Sequence, residues 1–299
     1  MAADSNSIIK NLYSKFKYGD IVIRLLYLNI GVFLIISLCG LICTLFNLLP
    51  VRWVSYLMFP ASVERFAYQP WSIFSYMFVH VDVFHVLFNM IWLYWFGRLF
   101  LDFFSSKHLR GLYILGGVMG ALAYMLAYHV FPYFSNSVDV ACVTGASASV
   151  LAIVVSVAVR EPNYAINFMF IGRVRLKYIA LFMIVFDVLF VTSDNAGGHI
   201  AHLGGTLAGW LFASALAKGT DMTRWINAAL DFRFVGRKPK VKKPKMKVHY
   251  GTGKKKENNE TQKNAHTAEI DAILDKLRKS GYNNLTDDEK KRLFDLSKK

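Results

Sequence analysis

The sequence predicts an all-α polytopic membrane protein: six transmembrane helices, a membrane-embedded first outer loop and a basic cytoplasmic C-terminal tail. Three observations predict it. The 299 residues are 55% hydrophobic and 15% aromatic with a mean hydropathy of +0.34, too apolar for an ordinary soluble domain. Uncharged windows at 25–51, 111–138, 140–159 and 195–217 can each cross a hydrocarbon core, which needs about 20 apolar residues. Lys and Arg cluster in alternate connecting segments, the pattern of a chain whose basic loops stay on the cytoplasmic side.

Residues 1–23 form a polar N-terminal segment with no short apolar run before a small-residue cleavage site, so the first span is expected to target and to anchor. Lys10, Lys15, Lys17 and Arg24 precede that span and place the N-terminus inside. The outer segment that follows, about 50–82, contains Trp53, Tyr56, Phe59, Phe66, Tyr68, Trp71, Phe74, Tyr76 and Phe78, an aromatic content suited to the membrane interface. Span two runs from about Val83 to Leu101 with Arg98 near its end, and Lys107 and Arg110 follow on the inner side. Spans three and four are the windows 111–138 and 140–159, joined outside near Asp139.

Arg160, Arg173, Arg175 and Lys177 mark the next inner loop. Span five, about Leu176 to Ser193, contains Asp187, and span six, 195–217, follows the outer Asp194. The six-helix domain is therefore 24–217, with both termini cytoplasmic. Residues 218–299 carry 22 Lys/Arg against 11 Asp/Glu, which is +11 of the formal +15.

Within the tail, 218–260 is expected as a basic linker, because like charges and two prolines between Arg237 and Lys247 oppose a helix. Its charges suit anionic lipid; no aromatic interleaving points to nucleic acid, and no nucleic-acid partner is expected. Residues 261–299 carry apolar residues at Ile270, Ile273, Leu274 and Leu277, then at Leu285, Leu293, Phe294 and Leu296. Two short amphipathic helices are predicted, the second opening on Thr286 with Glu289 three residues on. Cys39, Cys43 and Cys142 lie in apolar spans and read as small hydrophobes rather than a disulfide framework.

Polar residues inside spans are costly, so their positions carry the functional signal. Three clusters stand out: His80 to Asn89 at the start of span two, Gly145-Ala-Ser147-Ala-Ser149 in span four, and His199 to Gly209 in span six. Counting along a continuous helix from Asp139 and Asp194 places Ser147 and His202 both roughly 12 Å below the outer helix ends, with Asn89 at about 10 Å. A serine hydroxyl is a weak nucleophile until a base takes its proton, and a neutral histidine does so near neutral pH. Ser147 and His202 are that pair. His85 and Asn89, on one helical face, can offer N–H groups to a developing oxyanion, as can the backbone of Ser147.

Gly205 and Gly209, with Gly145 and Ala148 opposite, are expected to let spans four and six approach closely. Ser149 is expected to bond the carbonyl one turn back. His199 sits one turn from His202 near the surface, and His80 is assigned to loop positioning. Asp187, near the depth of the histidines, is a conceivable third member. A zinc site from His80, His85, His199 and His202 leaves Ser147 unexplained, and neither a His-Glu-x-x-His run nor a paired Asp motif occurs, so no metal or cofactor is expected.

Gly145-Ala-Ser147-Ala, Ala201-His202-x-x-Gly205-x-x-x-Gly209 and His80-x4-His85-x3-Asn89 resemble the motifs of rhomboid intramembrane serine proteases, in that family's order and spacing over about residues 20–217. The resemblance implies a six-span bacterial inner-membrane form with its active site toward the extracytoplasmic side. It implies Ser147 as nucleophile, His202 as base and then acid, and His85 with Asn89 as oxyanion donors. The substrates implied are transmembrane segments of other membrane proteins, cleaved near their outer ends without metal or cofactor. A non-enzymatic alternative is a rhomboid-like pseudoprotease that binds transmembrane helices, although such proteins typically lack the serine or histidine. Two departures stand out. Trp71 is followed by Ser72 where many members have Arg, and Leu151 stands one turn past the serine where an aromatic residue is common, so His202 needs another orienting partner.

Overall fold

The computed structural model describes residues 16, 19–48, 52–168, 172–234, 273–278, 281 and 285–291. It comprises two units, Met1–Arg237 and Lys238–Lys299, each taken by itself.

In the first unit, α1 (Ile21–Leu45) starts where the Asp20 side chain accepts from the Ile23 N–H at 3.0 Å. Its 25 residues are almost uniformly apolar. Leu34, Ile35 and Leu38 lie exposed on it, a surface that lipid satisfies and water does not. The segment after α1 holds β1 (Phe59–Pro60), α2 (Val63–Tyr68) and α3 (Ser72–Ser75). It is tied to itself by side chains that seek backbone carbonyls. Gln69 donates to Ser55 and Met58, Trp71 Nε1 to Tyr56 at 2.8 Å and Ser75 to Leu57 at 2.8 Å. These bonds anchor the segment without an arginine at position 72.

Next come α4 (Val83–Phe103), capped by Asp82, and α5 (Ser106–Val130), capped by Ser105. After α5 a 3-10 stretch, Pro132–Ser137, leads to β2 (Cys142–Val143), which pairs antiparallel with β1. The remaining elements are α6 (Ser147–Arg160), the hairpin β3 (Ala165–Phe168) and β4 (Gly172–Arg175), α7 (Leu176–Leu189), α8 (Ala196–Ala217) and α9 (Arg224–Phe234).

Among the described residues, four helices, α1, α4, α5 and α8, are long and apolar enough to cross a membrane. The other two expected spans, α6 and α7, have 14 residues each, about 21 Å of helix. The fourth expected span, 140–159, is only partly helical: residues 141–146 run through β2 and the turn at Gly145, whose φ is +109°. A helix cannot pass a residue in that conformation, and the strand pairing to Phe59–Pro60 holds the chain extended.

Every residue of α6 from Ala148 to Ala158 is buried, so this helix is the core around which α4, α5, α7 and α8 pack. Small residues make that possible. A Cβ on Gly205 would stand 2.1 Å from the Ala148 carbonyl oxygen, and one on Gly209 would stand 2.3 Å from that of Ala152. From α5, a Cβ on Gly116 would meet the Ala152 Cβ at 2.5 Å, and one on Gly120 the Ala148 Cβ at 2.6 Å. The backbone of α8 therefore meets that of α6 directly, and the backbone of α5 meets the alanine methyl groups of α6.

The start of the expected 218–260 linker is helical. In α9, Asn227 accepts from Arg110 at 2.8 Å and donates to the Lys107 carbonyl at 3.0 Å, while Asp231 pairs with Arg110 and Lys107. The basic run 237–247 lies outside the described residues, as do Ile270, Leu293, Phe294 and Leu296. In the second unit, 273–278 and 287–291 are helical. The Thr286 N–H donates to Glu289 at 2.7 Å and the Glu289 N–H to Thr286 Oγ at 3.4 Å, a reciprocal cap, and Lys276 pairs with Glu289 at 3.0 Å.

Candidate active site

The Gly145 conformation that breaks the fourth span also makes Ser147 the first residue of α6 rather than a mid-helix residue. The depth count along a continuous helix is therefore replaced by a different geometry. The side chain sits at a helix N-terminus where Ala146 supplies no side-chain cap. The first N–H groups of a helix have no intrahelical acceptor and carry the positive end of its dipole.

The turn is held from two directions. The Gly145 N–H donates to the Tyr76 carbonyl at 2.9 Å, and the Ala146 N–H to His80 Nε2 at 3.3 Å. His80 thus works as loop positioning, and its ring must be neutral to accept there. Burial, helped by the neighbouring His85, lowers its pKa to about 4. His85 lies against the same turn: a Cβ on Gly145 would come within 2.7 Å of its Nε2. Position 145 must be glycine on two counts, backbone conformation and the imidazole above it.

A cavity of about 840 Å³ opens at this point, lined by Ser147, His202, His85, Asn89, Asp187 and His199 together with Leu151, Phe182 and Phe186. It brings together the hydroxyl, the imidazole and the amide from three helices. Ser147 and His202 share the cavity without a mutual hydrogen bond. One Asn89 N–H donates to the His85 carbonyl at 2.9 Å within α4, which leaves its second N–H to serve the cavity.

A family model described as Rhomboid domain matches residues 67–219. The chain belongs to the rhomboid family. A second model, described as a family of unknown function (DUF6576), matches residues 256–299. A curated relative, RHOMBOID-like protein 12, mitochondrial, of Arabidopsis thaliana, is 28% identical over 151 residues, 48% of this chain and 45% of that protein. The match thus spans about half the length of either.

Two details of this rhomboid site depart from what its sequence suggests. Ser149 Oγ is buried with no hydrogen-bond partner, instead of bonding one turn back. The carbonyl it would need belongs to Gly145, which is outside the helix. His199 is not near the surface: it is buried, and its Nδ1 lies 2.8 Å from Asp187 Oδ1. His202 Nδ1 lies 2.8 Å from the same oxygen.

A carboxylate only accepts, so both imidazoles donate to it, and Asp187, 3% exposed, is satisfied by two N–H groups. A carboxylate within the fifth expected span was visible in the sequence, but its partners depend on how α7 meets α8. Donor atoms of Asp187, His199 and His202 lie within 4.8 Å of one another and could hold a metal ion; the Nδ1 atoms of both rings bond Asp187 Oδ1.

The Gly116-Gly117-x-x-Gly120 run on α5 also escapes a reading centred on polar residues, although its small-residue spacing marks a close helix contact. So does Asn29, buried in α1 and donating to Tyr113 Oη at 3.1 Å.

Proposed function

We propose that this chain is an intramembrane serine endopeptidase that hydrolyses peptide bonds in or near the transmembrane segments of other membrane proteins. The observation that carries the reading is the placement of Ser147, at an uncapped helix N-terminus, in one cavity with His202, His85 and Asn89.

In this reading the Ser147 hydroxyl attacks the scissile carbonyl while His202 Nε2 takes its proton. The developing oxyanion is met by the free N–H groups at the start of α6, the His85 ring and the second Asn89 N–H. Collapse of the tetrahedral intermediate expels the amine, to which His202 returns the proton. Water then enters the cavity and gives a proton to His202 as it attacks the acyl carbon; the acyl–Oγ bond breaks, and His202 returns that proton to Ser147.

Six segments cross the membrane in this account, with the extended residues 141–146 completing the passage that α6 leaves short. The Lys/Arg-rich loops lie on the cytoplasmic side of a bacterial inner membrane with both termini, and the basic tail rests against anionic lipid. No metal or cofactor takes part.

The test is cleavage of a reporter transmembrane substrate by the full chain in membranes. Wild type releases product, and Ser147→Ala and His202→Ala each abolish it at unchanged protein level and membrane insertion. Cleavage that persists in either variant moves the chemistry elsewhere. Substrate binding without cleavage by wild type supports a pseudoprotease that guides transmembrane helices.

A further inference from the structure

We infer that Asp187 is the positioning residue for His202, fixing its imidazole as the tautomer that can act as a base toward Ser147. The inference rests on the proposed roles of Ser147 and His202 and adds to them.

The side chain one turn past Ser147 is Leu151, which lines the cavity and has neither a ring nor a polar atom with which to hold an imidazole. The polar partner that His202 does have comes from another helix. Its Nδ1 lies 2.8 Å from Asp187 Oδ1, on α7. Because a carboxylate oxygen can only accept, the His202 proton is fixed on Nδ1 and the lone pair on Nε2. Free imidazole has no such preference imposed on it, and a ring protonated on Nε2 cannot take a proton from a serine.

The same carboxylate stabilises the imidazolium that forms when the Ser147 proton arrives. His199 supports the arrangement by donating from its own Nδ1, also at 2.8 Å, so that Oδ1 is held between two rings and cannot turn away. Burial of this carboxylate inside an apolar bundle has a cost, which the two N–H groups offset. His202 keeps its Nδ1 proton throughout, and the proton it takes from Ser147 leaves with the amine.

The test combines nitrogen-15 NMR of histidine-labelled full-length protein with reporter kinetics, the His202 signals being assigned by their loss in His202→Ala. In wild type the unprotonated nitrogen of His202 is Nε2. In Asp187→Ala the His202 proton moves substantially to Nε2, and kcat falls about a hundredfold or more while KM stays within about threefold. Should the alanine variant not fold, Asp187→Asn keeps the volume and an acceptor but removes the charge, and kcat again falls at least about tenfold with KM unchanged.

An unaltered His202 tautomer in folded Asp187→Ala, or wild-type kcat in either variant, overturns the inference. The tautomer is read without substrate. A wild type that cleaves nothing, but whose His202 tautomer shifts with Asp187→Ala, therefore counts against the protease reading and upholds the positioning role.

Discussion

Gly205→Ala is the substitution whose effect the packing of α8 on α6 defines most sharply. The added Cβ would stand 2.1 Å from the Ala148 carbonyl oxygen and 2.9 Å from Ala148 Cα. A carbon–oxygen contact normally closes to about 3.3 Å, so the helices must part by about 1 Å at this level. The obstruction is backbone, so no rotamer change relieves it. His202 lies one turn before Gly205 and Ser147 one residue before Ala148, so the separation acts directly between the proposed base and the proposed nucleophile.

Overpacking of this kind costs about 1–3 kcal/mol of stability, and a 1 Å misplacement of catalytic groups costs on the order of a hundredfold in rate. Gly31 and Gly40 in α1 have open space where a Cβ would go, so alanine there is the control and should be neutral or stabilising by up to about 1 kcal/mol. Reporter cleavage and thermal unfolding of the purified protein read the two effects. A Gly205→Ala protein with wild-type turnover and unchanged unfolding temperature would refute the claim that backbone contact sets the Ser147 to His202 geometry.

Further outcomes follow from the same geometry. Gly145→Ala places a methyl group against His85 at a φ of +109°, and should abolish cleavage and lower the unfolding temperature more than Gly205→Ala does. Because His80 is held neutral with its pKa lowered to about 4, its contribution is full above pH 6.5 and is lost as pH falls toward 4. That amounts to roughly 3 kcal/mol, and thermal unfolding of His80→Gln should lack this part of the acid destabilisation. In the tail, Thr286→Ala should remove about 1 kcal/mol of local helix stability, seen as faster amide hydrogen exchange over 287–291 with unchanged reporter cleavage.

Much of this was legible in the sequence because membranes impose simple rules. The α1, α5 and α8 spans announce themselves as apolar runs, and Ser147, His202, His85 and Asn89 stand out as polar residues where polarity is costly. The true start of α6 was not legible, because it depends on a strand pairing between residues 59–60 and 142–143, which no local pattern reports. The same pairing explains why counting helical residues from Asp139 does not describe the path to Ser147. The partner of His202 was half legible: Leu151 announces a missing support and Asp187 an unexplained carboxylate, but only the crossing of α7 and α8 joins them. The helix α9 was hidden because its charges resemble the linker beyond, whereas Asn227 and Asp231 in fact answer Arg110.

The most direct measurement of the central claim is intact-mass and peptide-mapping analysis of the full chain after exposure to a fluorophosphonate, a reagent that phosphonylates base-activated serines. The account predicts a single adduct on Ser147, lost in His202→Ala although that variant remains folded. Labelling at another residue, or equal labelling of Ser147 without His202, contradicts it.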